Sequence, residues 1–413
     1  MPLLNRRVAP IALAVIGLLV GPAVLLPSAA QADQIRDRQY WLSEYGIERA
    51  WQVTKGAGIR IAIIDTGVDG SHQDLRGAVV AGSDFSGLGD DDGQTPVGQD
   101  RRHGTMVGSL AAGRGNNSID GVIGSAPEAE ILSLSMSFGG GTIPPDDQIA
   151  RAVRYAVDNG ADIISLSLTR NTRDWPESWD SAFSYAAEND VVVIAAAGNR
   201  GSGTEAVGAP ATMPGVLTVG GVNREGKVSA TASAQGITLG VMAPSEGLVG
   251  AIPGGGYVAW SGTSGATPIV AGIVALVRAA HPELDAANVI HRILSTATSV
   301  TQETPDPLYG FGIVNAYEAV TAEVALVSKN PLGSLDEWIV IHRKQEGSQI
   351  VIPLGPQQTT TEAEGPRNPN VSLQPDTEMT ILPYVITGVL AAALISVLVG
   401  FVVVSVASRK PID

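Results

Sequence analysis

Apolar residues are distributed along the chain in two rhythms. The short unbroken runs Ile61-Ala62-Ile63-Ile64, Ile131-Leu132-Ser133-Leu134, Ile163-Ile164-Ser165-Leu166 and Val191-Val192-Val193-Ile194 are too brief for helices. They predict strands covered on both faces. Between and after them, residues 148–159, 179–188 and 264–280 place apolar positions at helical spacing. Buried strands alternating with helices predict an α/β domain built on a parallel sheet. In such sheets, reactive groups gather where strands end. Ile61–Ile64 runs directly into Asp65-Thr66-Gly67, and Val191–Ile194 into Ala195-Ala196-Ala197-Gly198-Asn199. There is no internal repeat.

The two ends follow other rules. Arg6 and Arg7 precede an apolar stretch, Ile11 to Leu26, and Ala30-Gln31-Ala32 has the small-x-small form of a cleavage site. Residues 1–32 therefore read as a signal peptide. Residues 381–407 carry no charge and are long enough to cross the ~30 Å hydrocarbon core as a transmembrane helix. Arg409 and Lys410, in the short tail 408–413, place the C-terminus in the cytoplasm by the positive-inside rule. The domain before the span then lies outside the cell membrane. Residues 331–380, rich in Pro, Thr, Glu and Gln, predict an extended linker. Within it, Trp338-Ile339-Val340-Ile341 and Ile350-Val351-Ile352 predict short strands. That leaves residues 33–330 for the folded domain.

Composition narrows the chemistry. A net charge of -15 without clustered Lys and Arg argues against a nucleic-acid partner. The chain has no cysteine, which removes disulfides, thiol nucleophiles and thiolate zinc sites together. Attack by a serine needs a base to take its proton, a carboxylate to orient that base and donors for the oxyanion. Ser264 sits in Gly262-Thr263-Ser264-Gly265-Ala266-Thr267-Pro268, at the start of a predicted helix, where free N–H groups favour a developing oxyanion. His103 opens His103-Gly104-Thr105-Met106-Val107 and suits a general base. His72, His281, His291 and His342 lack such a setting. Asp65, after a buried strand, suits the carboxylate that orients that base. Asn199 offers a second oxyanion donor. Each segment alone is an ordinary turn or cap; the case rests on their joint occurrence at strand and helix ends.

These segments resemble the signatures of the subtilisin-like serine proteases: Ile63-Ile64-Asp65-Thr66-Gly67-Val68, His103 to Val107, Ala196-Ala197-Gly198-Asn199, and Gly262 to Pro268. The resemblance implies a three-layer α/β/α sandwich with a mostly parallel seven-stranded sheet. It implies a triad of Asp65, His103 and Ser264, and an oxyanion hole from Asn199 and Ser264. It also implies a polypeptide substrate laid as an added strand against Ser165, Leu166, Ser167 and Leu168, with Ala197 and Gly198 beside it. No cofactor is required for that chemistry. Asp74 and the Asn116-Asn117-Ser118-Ile119 segment resemble a calcium site of some subtilisins, so Asp74 and Asn117 are candidate oxygen ligands.

The chain also departs from the family pattern. Thr169-Arg170 replaces the usual Gly-Gly, which predicts an altered S1–S4 surface carrying positive charge. Gly265 replaces a bulky residue, which predicts a looser nucleophile turn. The stretch from Asp33 to Arg60 is too short for the long pro-domain of secreted subtilisins. The signal peptide, the single span and the segments Gln39-Tyr40-Trp41-Leu42 and Tyr309-Gly310-Phe311-Gly312 are similar to the mycosins, membrane-anchored subtilases of type VII secretion systems, although mycosins usually carry cysteines. Proteins of a secretion complex are then expected partners. The competing class is a membrane-tethered structural component with dispensable catalysis; four intact reactive positions favour hydrolysis.

Overall fold

A computed structural model of the chain describes residues 33–116 and 120–343. The expected signal peptide, the transmembrane helix at 381–407, the tail 408–413, most of the linker and Ile350–Ile352 lie outside the described residues. Three short helices come first: α1 (Asp33–Arg36), α2 (Trp41–Glu44) and α3 (Ile47–Ala50). The body follows as β1 (Arg60–Asp65), β2 (Val79–Asp84), α4 (His103–Ala112), β3 (Glu130–Ser135), α5 (Pro145–Asp158), β4 (Ile163–Leu166), α6 (Glu177–Glu188) and β5 (Val192–Ala196). Next come β6 (Leu217–Val222), β7 (Val241–Pro244), the hairpin β8 (Leu248–Ala251) and β9 (Tyr257–Trp260), then α7 (Thr263–Ala280), α8 (Ala286–Ser295), α9 (Ala316–Thr321) and α10 (Leu335–His342).

Seven strands form one sheet in the order β2-β3-β1-β4-β5-β6-β7, and every pair in it is parallel. Helices α4 and α7 pack on one face, α5 and α6 on the other, which gives the expected three layers. All four strands read from the apolar runs are present. The pattern did not single out β2, β6 and β7: β2 is an edge strand with only partial burial, and glycines interrupt β6. Within the described residues, α7 alone is long and apolar enough to cross a membrane, and it is instead the buried central helix of the domain.

The C-terminal boundary needs correction. Trp338-Ile339-Val340-Ile341 forms no strand but lies in α10. Ser334 caps that helix, accepting the Glu337 N–H at 3.3 Å, with Asp336 and Glu337 in its first turn. Trp338 then packs on Trp175 at 4.4 Å between ring centroids and on His342, one turn on, at 4.7 Å. Arg343 closes the end with a 2.8 Å bond to Asp180 of α6. Capping and stacking outweigh the β preference of three branched residues, and the folded domain reaches past the expected residue 330.

Candidate active site

The chemistry starts where β1 ends. Asp65 is the last residue of the strand and is buried. The chain turns away through Gly67, at φ +100°, and α4 is driven hard against that turn. A Cβ on Gly104 would stand 2.4 Å from the Gly67 carbonyl oxygen, so only glycine permits the approach. The Gly104 N–H donates to Thr66 Oγ1 at 2.9 Å. The result sets His103 Nδ1 at 2.8 and 2.9 Å from the two Asp65 oxygens. With Nδ1–H donating to the carboxylate, Nε2 is left as the acceptor.

Burial pulls the His103 pKa down, but the charge and hydrogen bond of Asp65, with the charge of Asp100, outweigh it and leave the group above its ordinary value. This raised pKa contributes stability at low pH that fades as pH rises through the folded value. With His103 in the role of general base that the sequence suggests, activity would run the other way, because a base must be neutral to accept a proton, and would fall as pH drops through the same pKa. Asp100→Asn removes one raising charge. The acidic limb of the kcat/KM profile is expected to move to lower pH, by a small amount because Asp100 is exposed. A pH–rate profile of the variant checks this.

Ser264 lies in the first turn of α7. Its Oγ donates to the Ser167 carbonyl at 3.2 Å, and Ser167 Oγ donates back to the Ser264 carbonyl at 2.9 Å. Ser167 lines a cleft of about 350 Å³ together with Asp65, His103, Met136, Phe138 and Leu168. Trp260, which sequence reasoning passed over, bridges the two sides. Its ring stands edge-on to His103 at 5.9 Å, and its indole carbons lie 3.2 and 3.3 Å from where a Cβ on Gly265 would be. Leu248 comes within 2.3 Å of the same point. The expectation of a loose nucleophile turn is therefore corrected: Trp260 and Leu248 fill the room that Gly265 leaves, and a larger residue would overpack it.

Asn199 follows β5 and is held by its oxygen. Oδ1 accepts the Thr263 N–H at 2.8 Å and the Thr263 hydroxyl at 3.1 Å. A backbone N–H can only donate, so the orientation of the amide is decided and Nδ2 faces away as a donor.

The wall of the cleft is narrower than the expected Ser165–Leu168. Ser165 and Leu166 lie inside β4, fully buried and paired with β5; Ser167 and Leu168 line the cleft. Ala197 is buried, and Gly198, at φ +104°, faces Thr169. Thr169 is wedged between two glycines. Its Cγ2 lies 3.2 Å from the Cβ position of Gly198, and its Oγ1 lies 2.8 Å from that of Gly208. Thr204 Cγ2 crowds Gly198 from 2.5 Å. The positive charge expected of this wall is also corrected. The Arg170 guanidinium pairs with Asp146 at the start of α5, a partner 24 residues away in sequence. Asp74 is fully buried away from the cleft, and Asn117 lies outside the described residues. Among the described residues no group of three or more His, Asp or Glu is arranged to hold a metal ion.

The profile of the subtilase family matches residues 56–312, which takes in the segments of Asp65, His103, Asn199 and Ser264. The chain belongs to the subtilase family. This subtilase is 36% identical over 285 residues to thermitase of Thermoactinomyces vulgaris, covering 68% of this chain and 96% of thermitase. Its fold is similar to that of the MycP3 protease from the type VII (ESX-3) secretion system, with TM-score 0.58 and 31% identity over 68% of this chain and 88% of that one. MycP1 from Mycobacterium smegmatis matches with TM-score 0.57 and 29% identity, over 69% of this chain and 84% of that one. The subtilase is a subtilisin-like serine endopeptidase, a hydrolase acting on polypeptides, and it resembles the mycosins in structure.

Proposed function

We propose that the subtilase cleaves exported polypeptides after small residues, through an acyl-enzyme formed on Ser264. The observation that carries this reading is the His103–Asp65 pair, locked at 2.8 and 2.9 Å in the cleft that Ser167 ties to Ser264. Ser264 Oγ attacks the scissile carbonyl carbon and His103 Nε2 takes its proton. Asp65 holds the imidazole tautomer and stabilises the imidazolium. Asn199 Nδ2 and the Ser264 N–H receive the oxyanion. The tetrahedral intermediate collapses as His103 protonates the leaving amine, and water then releases the acid by the reverse sequence. Before attack, Ser264 Oγ must leave the Ser167 carbonyl. A substrate strand along Ser167 and Leu168 supplies a backbone N–H that can take its place. Thr169, seated between Gly198 and Gly208, supports the preference for a small P1 residue.

The likeness to the MycP3 and MycP1 proteases, together with the signal-like residues 1–32 and the apolar segment 381–407, supports a place at the outer face of the cell membrane, beside a secretion system of that type. The test is to label the full chain with a fluorophosphonate and locate the adduct by mass spectrometry. An adduct on Ser264 alone is expected. A folded protein that takes no label would instead favour the structural role in a secretion complex.

A further inference from the structure

The loop that ends in Asp120-Gly121-Val122-Ile123 is the one whose likeness to a subtilisin calcium site made Asp74 a candidate ligand. Calcium needs six to eight oxygens converging at about 2.3–2.6 Å. Among the described residues, the oxygens of this loop and of Asp74 already hold donors. The Asp120 carbonyl accepts Arg36 Nη2 at 2.9 Å and the Asn116 N–H at 3.1 Å. The Gly121 carbonyl accepts Arg36 Nε at 3.2 Å. The Val122 carbonyl accepts the Gly115 N–H at 3.1 Å, and the Ile123 carbonyl accepts Gln39 Nε2 at 2.8 Å. Asp74 Oδ2 takes the Val122 N–H at 2.7 Å and Oδ1 the Tyr257 hydroxyl at 3.3 Å. Gln39 also accepts the Ile123 N–H at 3.0 Å, clasping that residue from both sides.

These described residues do not fit a bound calcium ion: at the Asp120 and Gly121 carbonyls a dication would have to displace or sit beside the Arg36 guanidinium. We propose that Arg36 is the built-in cation of this loop, a guanidinium clamp from the N-terminal segment that makes the fold independent of calcium. Asp74 is a fully buried carboxylate and Asp120 lies beside it; their charges act on the half-buried Arg36 and oppose the effect of burial, which lowers its pKa. The forked, permanently charged side chain satisfies two carbonyls at once and supplies countercharge to both carboxylates.

The test is thermal unfolding of the full chain, with calcium binding followed by titration calorimetry. The wild-type Tm is expected to be the same in millimolar CaCl₂ and in EGTA, with no binding heat. Arg36→Ala is expected to lower Tm by several degrees, and Arg36→Lys, which keeps a charge but not the fork, to melt between the two. A saturable rise in wild-type Tm with calcium, or a binding isotherm, would overturn the proposal whether or not the variants fold. So would an Arg36→Ala protein that melts like wild type, or a lysine variant no better than alanine.

Discussion

Replacing Ser264 by alanine is expected to lower kcat by roughly 10⁶-fold, the order of the equivalent change in subtilisin. The loss is large because, in the proposed mechanism, this hydroxyl forms the acyl-enzyme. His103, Asp65 and Asn199 would then act on a reaction with no protein nucleophile. The fold should hardly notice. Ser264 Oγ makes one hydrogen bond, to the Ser167 carbonyl, and losing such a bond costs about 0.5–1.5 kcal/mol. Kinetics on a peptide ester and a thermal melt, run on the same preparation, separate the two effects. A second loss should not add to the first, because residues that act as a unit fail together. Ser264→Ala combined with His103→Ala is therefore expected to be about as slow as Ser264→Ala alone. Normal turnover by the single variant would remove the proposed triad.

The second large effect is on specificity. Thr169→Gly is expected to raise kcat/KM for a P1 phenylalanine, relative to P1 alanine, by at least about 100-fold, since a single methylene in such a pocket is worth about 10–200-fold. The reason is space. Thr169 Cγ2 and Oγ1 approach the Cβ positions of Gly198 and Gly208 at 3.2 and 2.8 Å. An aromatic ring needs atoms about 3.5–4.0 Å away on each of its faces. The threonine takes up space between the two glycines, and removing it leaves Gly198 against Thr204 and Gly208 against the Arg170 carbonyl. Thr204 stays against Gly198 in the variant, so Thr169→Gly with Thr204→Gly should open the site further. Peptides differing only at P1 make the measurement. An unchanged ratio would mean that the P1 side chain sits elsewhere on the wall.

Much of this was legible because local signals agreed with one another. The run Ile61–Ile64 followed by Asp65-Thr66-Gly67 predicts a buried strand and the turn that ends it, and β1 ends at Asp65. His103-Gly104 states both a helix start and the close approach that the start requires. The strands at 131–134, 163–166 and 191–194 were equally plain, because a strand covered on both faces has no polar alternation to disguise it. Trp338–Ile341 shows where local reading fails. Its branched residues favour a strand, while the decision lay with Ser334 and Glu337 at the cap and with Trp175 across the interface. The Ser-x-x-Glu pattern at 334–337 was the available signal.

Sequence alone thus determined the fold class, the parallel sheet and the family, and it nominated Asp65, His103, Asn199 and Ser264, because each depends on the periodicity of burial or on residue types at element ends. Tertiary structure alone decided the shape and charge of the site. Trp260 comes to fill the gap at Gly265, Asp146 to neutralise Arg170, and Arg36 to hold the carbonyls of a loop some 84 residues on. Those pairings join segments far apart in the chain, and their distances follow from how layers pack around the sheet, which no local pattern encodes.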